Sequence, residues 1–137
     1  MPRTADILLS IAAGSALGGV ARYLLTDMVQ AKSGGTFPFG TLVVNLVGCL
    51  LLGFIVEMVH DSASITPTVR ALLTVGFCGG FTTFSTFSLE AVRAVEEGAV
   101  ARAAIYVGAS VVAGILGIVI GTAVARLILQ TFRGSPA

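Results

Sequence analysis

An all-α fold of four membrane-crossing helices is predicted by three features of this sequence. Of its 137 residues, 55% are hydrophobic and only 11% are charged. The mean hydropathy is +0.99, and the apolar residues gather into four long segments. A soluble domain carries about a quarter of its residues charged, and a disordered chain combines low hydrophobicity with high net charge, so both classes are excluded. A net charge of +1 leaves no basic cluster with which to displace counterions from phosphates, and nucleic acid is excluded as a partner.

A spanning helix needs about 20 mainly apolar residues, and each segment meets that length. The first runs over about residues 6–25 and carries Arg22 near its far end. Its long apolar stretch, its amino-terminal region with Arg3 as sole side-chain cation, and three further apolar segments argue for a retained helix over a signal peptide. The second, about 39–59, has no charge before Glu57. The third, about 69–95, holds Gly76, Gly79 and Gly80 and then a run of hydroxyl residues, poor material for a continuous helix. A break near residues 79–82 is expected there. Such breaks are tolerated at membrane depth only where protein or a water-filled cavity covers the freed backbone. The fourth, about 101–129, exceeds what a bilayer requires and should tilt or project.

Connections are expected at about residues 28–37, 60–68 and 96–100, with Pro38 and Pro67 at helix starts, where a missing N–H costs nothing. The chain 1–137 therefore reads as one transmembrane domain, without linker, soluble domain or internal repeat. Gly14 and Gly18 in the first helix, and Gly117 and Gly121 in the fourth, set small residues four apart for close helix packing. Four such helices enclose little polar interior, so an aqueous path requires a second copy. With an even number of spans, Arg3, Arg70, Arg126 and Arg133 fall on one side and Arg22, Lys32, Arg93 and Arg102 on the other. That balance removes the usual orienting bias, and the chain is expected to insert both ways and to form an antiparallel homodimer in lipid.

Polar side chains at bilayer depth are functional candidates. Thr41 and Asn45 lie four apart on one face of the second helix. The Asn45 amide must find partners, through an interhelical hydrogen bond, through pore lining, or through both. In the fourth helix Arg102, Tyr106, Ser110 and Gly114 recur at steps of four. Tyr106 alone would suit an interfacial aromatic belt, but with Ser110 one turn deeper the two form a track of hydroxyl donors. In the third segment Phe84 and Phe87 share a face, beside five hydroxyls in seven residues: Thr82, Thr83, Ser85, Thr86 and Ser88. Cys49 and Cys78 have no metal-ligand spacing and read as packing residues, and His60 reads as a residue at headgroup level. No catalytic triad, deep carboxylate pair, metal cluster or nucleotide loop is present, so an enzyme is not expected. Amides, hydroxyls and electropositive ring edges, without an embedded carboxylate, favour a small hydrated anion that exchanges its water for these donors.

The stretch Gly79-Gly80-Phe81-Thr82-Thr83-Phe84-Ser85-Thr86-Phe87-Ser88-Leu89-Glu90 resembles the third-helix motif of the Fluc (CrcB) family of fluoride channels. Gly18-Gly19-Val20-Ala21-Arg22-Tyr23 is similar to that family's first-helix motif, and the segment from Gly40 through Asn45 to Gly48 to its second. The resemblance implies an antiparallel dimer in the bacterial cell membrane, with two pores that pass fluoride far better than chloride and so lower cytoplasmic fluoride. It implies that Phe84 and Phe87 present ring edges to the ion, that Asn45 lines the pore with Tyr106 and Ser110 opposite, that Arg22 sits in a vestibule, and that Glu90 is the family's third-helix glutamate. Thr41, Thr83, Ser85 and Thr86 belong to the same pore lining. The backbone carbonyls of Gly79 and Thr82, from both subunits, would hold a structural sodium ion (Na+) at the dimer axis. The alternative from another class is a small multidrug-type, proton-coupled exporter. That mechanism needs a carboxylate deep in the first helix, and nothing acidic lies between Asp6 and Asp27.

Overall fold

A computed structural model describes residues 3–60 and 65–133, without the side chains of residues 132 and 133. Part of the connection expected at about residues 60–68, and the Arg133 side chain counted for orientation, lie outside the described residues. The elements are α1 (Thr4–Ser33), α2 (Phe39–His60), α3 (Pro67–Ala71), a π-helical stretch Leu72–Cys78, α4 (Gly79–Phe81), α5 (Phe84–Glu96) and α6 (Val100–Arg133). Four spans, Thr4–Ser33, Phe39–His60, Pro67–Glu96 and Val100–Thr131, are long and apolar enough to cross a bilayer. The described residues are otherwise turns and short connections, so the fold is all-helical.

Helix α1 continues to Ser33, well past the apolar stretch that ends near residue 25. Hydropathy locates the lipid-facing part of a helix, whereas the helix itself stops where the backbone can leave. That place is Gly34, with φ at 60°, whose N–H caps the Gln30 carbonyl. The Gln30 side chain then ties the short turn together: its amide donates to the carbonyls of Gly35 and Phe37, and its oxygen accepts the Gly40 N–H. The extension corrects the cation tally. Arg22 now lies eleven residues before the end of α1 (33 minus 22) and gives its Nε to the Gly80 carbonyl at 3.2 Å. The even split becomes four against three once Arg22 is counted with the interior.

The third span starts as its proline suggests, with Pro67 in the first turn of α3 and the Thr66 hydroxyl accepting the Val69 N–H. Its glycines do not interrupt the helix. Gly76 lies in the π-helical stretch and Gly79 and Gly80 in α4. Gly76 and Gly80 serve close approach: a Cβ on Gly76 would meet the Gly14 Cα at 3.0 Å, and one on Gly80 would meet the Ser15 carbonyl oxygen at 2.7 Å, whereas one on Gly79 would meet only the Thr74 carbonyl oxygen at 3.9 Å. The extended residues are Thr82 (φ −84°, ψ 158°) and Thr83 (φ −146°, ψ 113°).

Packing pairs α1 with the third span and α2 with α6. Side chains at Gly14 and Gly18 would collide with the Leu72 and Phe77 carbonyls, and at Gly53 and Gly121 with the Ile118 and Leu50 carbonyls. Cys49 fills space beside Gly114 and Gly117, and Cys78 is buried. Near the far end of the α2–α6 pair, Arg126 donates to both carboxylate oxygens of Glu57. Most large apolar side chains, Leu8, Leu17, Val92, Ile105 and Ile115 among them, remain exposed on the helix faces.

Candidate ion path

The polar residues converge where α2, α5 and α6 meet. Thr41 and Tyr106, each 1% exposed, arrive from α2 and α6 and clamp one carboxylate of α5. The Thr41 hydroxyl donates to Glu90 Oε1 at 2.9 Å and the Tyr106 hydroxyl to Glu90 Oε2 at 2.6 Å. Two distant segments thus serve one carboxyl group on a third. The Tyr106 ring packs against Phe87 with centroids 5.3 Å apart and stands edge-on to Phe37 at 5.6 Å.

Outward of this clamp lies a cavity of about 250 Å³, lined by Thr36, Glu90, Arg93, Arg102 and Tyr106 among others. It opens where α1 and α5 end and α2 and α6 begin, that is, at one face of the membrane. Arg102 is committed there to Glu97 and to the Thr36 hydroxyl, so it does not continue the Tyr106–Ser110 face as a free cation. Thr36 and Glu97 escaped sequence reading, and Arg93 entered it only as a cation counted for orientation, because no spacing rule joins a turn residue to helix ends so far away in the chain.

Inward of the clamp, Asn45, Cys49, Phe84, Phe87, Ser110 and Gly114 line a second cavity of about 390 Å³. Phe84 and Phe87 lie with centroids 5.6 Å apart, tilted by 44°. Phe84 is 80% exposed, so most of its ring is left uncovered by the described residues. Ser110 Oγ is buried and has no hydrogen-bond partner among the described residues. A buried hydroxyl without a partner is costly unless a ligand or water supplies one.

Asn45 is committed to the backbone of the extended segment. Its Oδ1 accepts the Thr83 N–H at 2.8 Å and its Nδ2 donates to the Thr83 carbonyl at 3.1 Å. One amide hydrogen remains for the cavity. Thr83 in turn caps α5, its Oγ1 accepting the Thr86 N–H at 3.2 Å and donating to Thr86 Oγ1 at 2.9 Å. Thr82 folds its hydroxyl back onto the Cys78 carbonyl, Ser88 onto the Phe84 carbonyl, and Ser85 is exposed with a 3.4 Å contact to the Thr83 hydroxyl. The hydroxyl run therefore serves the backbone more than the cavity. Arg22 stands apart, in a third cavity of about 260 Å³ with Tyr23, Thr26, Asp27, Thr41 and Thr86.

A family model described as CrcB-like protein, Camphor Resistance (CrcB), matches residues 9–122. A protein of Citrifermentans bemidjiense named fluoride-specific ion channel FluC is 49% identical over 119 residues, 87% of this chain and 96% of its own length. One of Chlorobium phaeobacteroides with the same name is 42% identical over 127 residues, 93% of this chain and 98% of its own. A third with that name, from Geobacter sulfurreducens, is 44% identical over 119 residues.

Proposed function

The chain belongs to the CrcB-like family, and from that premise we infer how it works. It is a multi-pass membrane protein and a fluoride-specific ion channel, not an enzyme. The single observation that carries the path is Ser110: a buried hydroxyl without a partner, lining a cavity walled by Phe84, Phe87 and Asn45. No carboxylate lines that cavity. A small anion there takes the Ser110 hydroxyl, the remaining Asn45 amide hydrogen and the electropositive ring edges in exchange for its water shell. Chloride, larger and a weaker hydrogen-bond acceptor, recovers less of its hydration.

At the mouth, the Thr41 and Tyr106 hydroxyls already hold both oxygens of the Glu90 carboxyl group. An ion that passes this point takes those donors in its place, so Glu90 occupies the position of a gate. In the cell membrane the working unit is an antiparallel homodimer with lipid around it. The near balance of cations supports the mixed orientation, and the exposed ring of Phe84 supports a second copy over the cavity.

The third span is best read as a broken helix, and the reading rests on the extended backbone at Thr82 and Thr83. Sodium fits the carbonyls of Gly79 and Thr82. Among the described residues no three His, Cys, Asp or Glu side chains group as metal ligands, whereas neutral carbonyl oxygens suit a hard cation. Bound there, the ion would supply a fixed positive charge joining two copies. The exporter alternative is not favoured, since the matched relatives are fluoride channels.

Liposomes that contain only the purified protein provide the test. Rapid fluoride efflux with negligible chloride efflux is expected; equal efflux of both anions, or proton-coupled movement of an organic cation, would overturn the reading.

A further inference from the structure

We propose that Asn45 and Thr83 are the positioning residues that create the cation site at Gly79 and Thr82, by diverting the two amide hydrogens that would otherwise close it. The proposal rests on the reading that a monovalent cation binds those carbonyls. In a continuous α-helix the N–H of residue i bonds the carbonyl of residue i−4. The Gly79 carbonyl would then receive the Thr83 N–H, and the Thr82 carbonyl the Thr86 N–H. Neither bond forms. The Thr83 N–H goes to Asn45 Oδ1 at 2.8 Å, and the Thr86 N–H goes to Thr83 Oγ1 at 3.2 Å. The two diversions are linked, because the Asn45 Nδ2 bond to the Thr83 carbonyl fixes the residue whose hydroxyl makes the second one.

Of the two carbonyls between them, those of Gly80 and Phe81, the first is handled differently. Gly80 receives the Arg22 Nε at 3.2 Å, which withdraws it from any ion. The Gly79 and Thr82 carbonyls are left without their helical donors, on a segment where Gly79 is exposed to whatever lies outside the chain. Within a bilayer no water replaces a missing donor, so a desolvated cation is the natural partner. Its charge class follows from the surroundings. No carboxylate takes part in these bonds, and the Arg22 guanidinium bonds the neighbouring carbonyl, so the field suits one positive charge and disfavours two. Asn45 therefore has a duty toward the cation that is separate from its place in the fluoride cavity.

The test reads sodium, not fluoride flux. Thermal unfolding of the purified protein in detergent is followed against sodium chloride, with N-methylglucamine chloride keeping ionic strength constant. The parent is expected to gain a sodium-specific rise in Tm. Asn45→Ala and Thr83→Val are expected to raise the sodium concentration for the half-maximal rise about tenfold, the usual scale for losing a group that orients a metal ligand. Thr83→Ser, which keeps the capping oxygen, is expected to match the parent, and the Ser and Val pair carries the test should Asn45→Ala not fold. Parental midpoints in both Asn45→Ala and Thr83→Val would overturn the proposal alone. A parent without any sodium-specific rise would overturn the cation reading and the proposal with it.

Discussion

The α2–α6 pair and the third span are built from similar residues, glycine-rich and apolar, yet they use their backbones in opposite ways. In α2 and α6 the helices run unbroken for 22 and 34 residues, and the glycines only bring them together. In the third span the ladder passes through a π-helical stretch and then two extended threonines. There, side chains of Asn45, Thr83 and Arg22 take over bonds that the helix would have made for itself. A membrane helix that satisfies its own backbone is a scaffold. One whose backbone groups are served by side chains has carbonyls and amides to lend, and both cavities of the proposed ion path are lined in part by it.

The contrast can be broken first on the scaffold side. Gly121→Leu drives a side chain into the Leu50 carbonyl, and a loss of about 3 kcal/mol of stability in detergent unfolding is expected. Gly108, with nothing within 4 Å of a Cβ, provides the control, since Gly108→Ala should leave stability equal or slightly higher. Next in size is Tyr106→Phe, which keeps the ring contact with Phe87 and removes one of the two donors to Glu90. Such a hydrogen bond contributes about 1.5 kcal/mol, so a fluoride efflux rate altered by about tenfold is expected. An unchanged rate would separate Glu90 from the path.

The smallest effects sharpen the contrast most, because they cross over on a single helix. Ser110→Ala removes a hydroxyl with no hydrogen-bond partner among the described residues, so flux should fall several-fold with stability unchanged. Thr122→Val, three turns on, removes the hydroxyl that donates to the Gly53 carbonyl at 3.3 Å. Its cost is about 1 kcal/mol of stability, with flux unchanged. Paired measurement of efflux and unfolding on both variants checks the assignment.

Much of the scaffold was legible in the chain. Segment length marked four spans, and the pairs Gly14 with Gly18 and Gly117 with Gly121 marked faces that do meet another backbone closely. The end of α1 was not legible, because Gly34 and Gln30 set it through a cap and a turn, not through hydropathy. In the third span composition pointed at residues 79–82, glycines and hydroxyls together, and the extended residues are Thr82 and Thr83, whose own side chains can replace the lost bonds. The clamp of Thr41, Tyr106 and Glu90 lay beyond reach altogether. Helical spacing relates residues within one segment, and these three come from three segments.

The central claim is that the third span, with its phenyl rings, carries the ion while the α2–α6 pair only supports it. Fluoride efflux from liposomes containing the Phe87→Ile variant, alongside its elution position in detergent, tests this most directly. The account predicts a protein that elutes as the parent does and passes no measurable fluoride. A variant that elutes as the parent does and conducts at the parental rate would contradict it.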